Sequence, residues 1–371
     1  MSPLTAVFVS TLAGCAAPES PPPAPPNPCD ILKASGGEAA GALTAAQAHL
    51  AAARSRGDEG EYILAEVALN CHLGLHPDDS TARSLAVYLL VQEHRFAEAV
   101  AAGESLTGDV PTDWQGWAFL GDAHMERGDN DRAAAAYQRA VDLRPGILLY
   151  DRIGWLRWLE GDLPGALEMA ELAASSGTGE DPTTLAWLLT RLGWLHALQG
   201  LPAPELDAAL RASPGFAPAI LAKARVAPGP DLAEFVDQTG SIEAWRLWSE
   251  LPGAPSSLPS PPIGDRRGLA DYLAPREPER ALALVEEELK VRHDAVTQMT
   301  RAWAAFYAKK PGFAEEARAA LATGCIEPRL LHHGAVLLGD PELAARALTM
   351  SVGLLPSERA ELTAMIAKPE P

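Results

Sequence analysis

An all-α solenoid of repeated helix hairpins is the fold this sequence predicts, and three observations carry it. Ala and Leu dominate while aromatics make up only 6% of the chain, and no long alternating run of Val, Ile and Thr marks a sheet. Pro77, Pro111 and Pro145 recur at a common interval of 34 residues. Ala65, Ala99 and Ala133 keep the same interval and Ala166 follows 33 later, as expected when one supersecondary unit is stacked many times.

The formal net charge of −19 is spread along the chain without a basic stripe. Such a surface repels phosphate backbones and anionic lipid headgroups, so nucleic acid is not an expected partner.

At the N-terminus, Leu4 to Gly14 form an apolar stretch of signal-peptide length, too short to span a bilayer, and Cys15 follows at once. The string Leu12-Ala13-Gly14-Cys15 resembles the lipobox of bacterial lipoproteins. That resemblance implies a signal peptide over 1–14 and a diacylglycerol on the Cys15 sulfur. Ala16 and Ala17 lack the aspartate associated with inner-membrane retention, which implies an outer-membrane lipoprotein facing the periplasm. A cytoplasmic protein with an incidental apolar N-terminus is the alternative. Residues 15–29 then comprise the lipidated cysteine and a tether, since seven prolines between Pro18 and Pro28 favour an extended polyproline II spacer.

The segment Trp114 to Pro145 carries Trp117, Leu120, Gly121, Gly128, Ala133, Tyr137, Ala140 and Pro145 at the signature positions of the tetratricopeptide repeat, which it resembles. Each residue type has a mechanical reason. Gly121 and Ala133 lack bulk and let two helices approach; Gly128 serves the turn; Pro145 ends the second helix. Trp117, Leu120, Tyr137 and Ala140 are expected to fill the seam.

Units over 46–79, 80–113 and 147–185 share this phase, and Leu192, Gly193 and Gly200 mark one more first helix. Pro202, Pro204 and Pro214 then leave room for only a short second helix. The expected organisation is N-terminal repeats over 30–226, a degenerate helical and Pro-rich linker over 227–267, and C-terminal repeats over 268–371. Leu251 to Ile263, with five prolines, reads as a loop. Gly334, Gly339, Ala344 and Pro356 mark a last repeat with a shortened first helix.

Repeats of this kind stack into a right-handed superhelix with an extended concave groove. The resemblance assigns positions 2, 5, 9, 12 and 13 of each first helix to that groove. Position 9 is then Tyr88, Asp122, Trp155 and Trp194; position 12 adds Met125 and Trp158; position 2 adds Trp187; and Asp151 lies on the same face. Indoles left in water are costly at about 25 cal/mol per Å² of apolar area, so a covering partner is expected. Downstream helices carrying Trp245 and Trp248 are the alternative cover. Asp122 and Asp151 are candidates to hold a basic residue of the partner. The Lys, Asn and Arg pattern with which some members of that family clamp a C-terminal carboxylate is absent.

No phosphate loop, H-E-x-x-H pair, G-x-S-x-G elbow or paired-cysteine zinc spacing occurs. The sequence therefore points to no enzyme, cofactor or metal. Cys71, His72 and His76 are the nearest metal candidates, but a histidine in the last turn of a helix is explained by the helix dipole. His332 and His333, being adjacent, are expected on different sides of their helix. Cys29 and Cys71 are the expected disulfide pair in an oxidising compartment.

The function expected is a lipid-anchored, non-catalytic scaffold that captures or positions a protein or peptide partner. The alternative is an enzyme or metal-dependent protein with its site in the degenerate region 201–330.

Overall fold

The computed structural model describes residues 27–34, 36–56, 60–176, 181–229, 231–239, 241–251 and 266–367, and they form 21 α-helices and no strand. The expected signal peptide, Cys15, most of the expected tether and residues 252–265 lie outside the described residues.

After α1 (Pro28–Ala34), five hairpins follow in succession. They are α2 (Ala42–Arg56) with α3 (Gly60–Leu75), α4 (Ser80–Gln92) with α5 (Phe96–Asp109), α6 (Trp114–Arg127) with α7 (Asn130–Leu143), α8 (Ile147–Leu159) with α9 (Leu163–Ser176), and α10 (Pro182–Leu198) with α11 (Pro204–Ala212). Three short helices come next: α12 (Ala217–Val226), α13 (Asp231–Thr239) and α14 (Ile242–Ser249). Pairing resumes with α15 (Arg266–Leu273) and α16 (Pro278–Glu288), α17 (Ala295–Tyr307) and α18 (Phe313–Leu321), and α19 (Pro328–Leu338) and α20 (Pro341–Thr349), before a final α21 (Pro356–Ala367). This is an α-solenoid of tetratricopeptide-like hairpins.

The repeat is written at the helix boundaries. Asp79, Asp113 and Asp181 cap α4, α6 and α10, each carboxylate accepting the backbone N–H groups two and three residues ahead. Two residues before the first two of these caps stand Pro77 and Pro111, so a residue that stops one hairpin and one that starts the next recur together. Asp294 and Asp340 cap α17 and α20 in the same way.

Inside the hairpins, small residues set the approach of the paired helices. A side chain at Gly121 would overlap the Tyr137 ring of α7, one at Gly154 would press on Ala166 and Met169 of α9, and one at Gly193 would meet Leu206 of α11. The space vacated by Gly121 is thus filled by an aromatic ring, and Ala133 packs beside that ring with Leu156. Gly128, at the turn, takes the left-handed conformation with φ of 86°.

The solenoid coils until distant parts meet. Helix α12 reaches α2. The loop before α17 covers the α6/α7 turn, where Gly128 faces the backbone of His293 and Asp294, and Gly324 covers the α8/α9 turn at Gly161. Arg292 spans this junction, pairing with Glu126 at 2.9 Å and lying over the Phe96 ring. One hydrophobic core runs from Trp158 to Leu362 without a break at 226 or 267. Near the start, a disulfide between Cys29 and Cys71 fastens α1 to α3.

Candidate functional site

The first helices of successive hairpins line one concave cavity of about 820 Å³, closed on the far side by α12, α13 and the start of α14. Tyr88, Asp122, Met125, Asp151, Trp155 and Trp187, assigned to a groove from the sequence, converge on it. Tyr62, Trp114, Phe119 and Phe235 extend its aromatic wall.

Trp158 and Trp194 stand elsewhere. They are 3% and 8% exposed and belong to the main core, not to the open cavity. The physical reason is the coiling of the chain: α12 lays the Arg225 guanidinium 4.9 Å from the Trp194 ring centroid, and Trp158, Trp194 and Arg225 border an inner crevice with Met299 and Leu330. Trp245 is in the same core and Trp248 packs against it.

Asp122 and Asp151 need correction as anchors for a partner's basic residue, because the protein's own side chains already occupy them. Arg152 Nε donates to Asp122 Oδ1 at 2.9 Å, and the Tyr137 hydroxyl donates to the same oxygen at 2.8 Å. Asp151 accepts from the Trp187 indole N–H at 2.9 Å and from Arg191 Nε at 3.3 Å. Arg191 also lies 3.8 Å from the Trp155 ring centroid and 5.1 Å from that of Trp187, so one guanidinium ties two indoles to one carboxylate.

Burial and pairing fix the protonation states. Burial pushes the Tyr88 and Tyr137 hydroxyls above their ordinary range, and Asp122 pushes Tyr137 further. Burial opposes the charge on Arg152, but Asp122 more than offsets this and holds the guanidinium charged. Among the described residues, Arg54 Nε on the cavity wall is buried without a hydrogen-bond partner.

The sequence reading missed Arg152 and Arg191, although a signal was present. Leu85, Phe119, Arg152 and Arg191 stand three residues before Tyr88, Asp122, Trp155 and Trp194, one helical turn away, and all four line the cavity. Elsewhere, His72 bonds the N-cap Asp79 at 2.9 Å and rests against His76. Among the described residues no group of three or more His, Cys, Asp or Glu is placed to hold a metal. His332 and His333 are both buried, with ring centroids 5.2 Å apart; His332 meets Glu361 of α21, His333 meets Asp271 of α15, and both rings touch Trp303 of α17.

No family model and no curated protein matches the chain. Among solved structures it is similar to PilW, a widely conserved type IV pilus biogenesis factor, at 16% identity and a TM-score of 0.35, over 66% of this chain and 92% of that one. It is also similar to a tetratricopeptide repeat protein from Parabacteroides merdae at 12% identity and a TM-score of 0.29, over 80% and 99% of the two chains. A third is the P58(IPK) tetratricopeptide domain, at 14% identity and a TM-score of 0.24 over 92% of each chain.

Proposed function

We propose that this chain is a non-catalytic scaffold that captures a short segment of a partner protein in the α2–α14 cavity. The observation that carries this reading is the convergence of Tyr62, Tyr88, Trp114, Phe119, Trp155 and Trp187 on one concavity whose carboxylates Asp122 and Asp151 are already neutralised. What the wall offers a visitor is aromatic area. Rigid rings of this kind carry binding energy at protein interfaces at low entropic cost. A cavity of this size takes a few residues of a partner and not a folded domain.

In the same reading Cys15 is lipidated, the Pro-rich segment spaces the solenoid from the outer membrane, and the captured partner belongs to a periplasmic or membrane assembly. Cys15→Ser is then expected to move the protein from the membrane to the soluble fraction. Identical fractionation of the two forms would remove the anchor from the proposal.

The cavity is tested at Trp155, which is half-buried. Trp155→Ala is expected to weaken capture of a crosslinked partner by about 2 kcal/mol, with the helical circular dichroism retained. Normal capture by folded Trp155→Ala protein would overturn the assignment of the cavity.

A further inference from the structure

The C-terminal half holds a second cavity of about 840 Å³ that shares no wall residue with the first. Its walls are two aromatic pairs. Trp245 of α14 meets Tyr272 of α15 edge to face with ring centroids 4.6 Å apart, and Trp303 and Tyr307 of α17 meet in the same way at 5.0 Å. His333 lies flat on Trp303 at 4.1 Å.

The floor is a closed ionic network. Arg246 bridges Asp271 and Glu358, with Nη2 donating to Glu358 Oε1 at 2.9 Å. Burial works against ionisation of both carboxyls, but Arg246 and Arg329 hold them below the ordinary carboxylate range. Burial pushes His333 down to about 3, so its ring is neutral at physiological pH. The floor therefore presents no spare charge.

The mouth does. Glu250 accepts the Ser357 backbone N–H at 2.9 Å and the Ser357 hydroxyl, and Glu361 meets His332 Nε2 at 2.9 Å. Among the described residues neither has a Lys or Arg partner. Counting the lining charges together with Arg329, which stands 3.6 Å from Asp271 and 3.8 Å from Glu358, three positive charges (Arg246, Arg276, Arg329) meet four negative (Glu250, Asp271, Glu358, Glu361), a net of −1.

At the rim, the Arg276 guanidinium already lies 4.0 Å from the Tyr272 ring centroid, so the aromatic wall receives a cation of the protein's own.

We propose that this cavity is a binding site for an organic cation, an ammonium or guanidinium group. The cation enters between the aromatic pairs under the field of Glu250 and Glu361. The chemistry fits a lysine or arginine side chain. The net negative lining disfavours an anion.

Calorimetric titration of the full chain tests this with N-acetyl-lysine amide, N-acetyl-arginine amide, tetramethylammonium and the neutral isostere N-acetyl-norleucine amide. The two basic amides are expected to bind saturably, to weaken with salt, and to exceed norleucine by about tenfold or more. Tetramethylammonium equal to the amides identifies a free cation as the source; weaker binding identifies a peptide side chain. The double variant Glu250→Gln, Glu361→Gln should lower affinity about tenfold, and Tyr307→Leu about fivefold, each with unchanged circular dichroism. Trp155→Ala, in the other cavity, should leave this titration unchanged. Norleucine binding as tightly as lysine, no saturation at millimolar ligand, or an unaffected and folded double glutamine variant would each overturn the proposal.

Discussion

The two halves of the molecule are held together differently. From α2 to α11 the buried residues are mostly alanine, leucine and the rings that glycine admits, and the polar bonds across the cavity tie neighbouring hairpins. From α14 to α21 the hydrophobic core also encloses an ionic network, with Arg246 joining residues 25 and 112 positions away and Arg329 reaching Glu243 86 positions away. Regular hairpins of near-equal length find their neighbours through local shape. Short, unequal helices have no such template, and buried ion pairs, which add little net stability, fix which helix meets which.

That comparison is broken most directly at Arg246. Arg246→Met leaves the Asp271 and Glu358 carboxylates buried beside a lost counter-ion, and the expected loss is about 5 kcal/mol of unfolding free energy by urea titration. A loss under 1 kcal/mol would mean that the network is ornamental and the two halves alike.

Trp194→Ala tests where the boundary between groove and core falls. As a residue 8% exposed in the common core, it should cost about 4 kcal/mol of stability. Capture of the partner by whatever remains folded should be normal, in contrast to Trp155→Ala. Weak capture with intact stability would return Trp194 to the groove.

A third outcome sharpens the comparison through acid. An unfolded histidine takes up a proton near 6.5, whereas burial delays His333 in the native state to about 3. As pH falls below 6.5 the unfolded chain binds the extra proton first, so native stability is full above that point. It should fall by about 1.4 kcal/mol per unit, amounting to about 3 kcal/mol by pH 4. Urea titrations of His333→Gln at pH 7, 5.5 and 4 should show that part of the slope removed. An unchanged slope would assign the acid lability to other groups.

How much of this was legible in the sequence follows the same divide. The hairpins over 46–200 could be phased because Pro77, Pro111, Gly121 and Gly154 act on their own or adjacent helices, so spacing alone encodes their contacts. Cys29 and Cys71 were the expected pair because their bridge staples the end of the Pro-rich segment to the first repeat. Cover of Trp194 by downstream helices stood as an alternative that the sequence could not decide, because it depends on how far the superhelix turns before Arg225 arrives. The Trp303, His332, His333 and Asp271 cluster was not legible either. Its members sit on three helices whose packing no period in the sequence announces.

The link between Cys29 and Cys71 also sets how the solenoid answers tension. A pull on the chain at residue 27 passes through two residues and one sulfur bridge straight into α3. The span of 42 positions from Cys29 to Cys71, including all of α2, carries no load. At about 3.6 Å per extended residue, roughly 150 Å of chain is withheld from stretching until the bridge is reduced. Oxidised, the first hairpin is a rigid shackle; reduced, it becomes a spring that pays out before the rest of the molecule feels the strain.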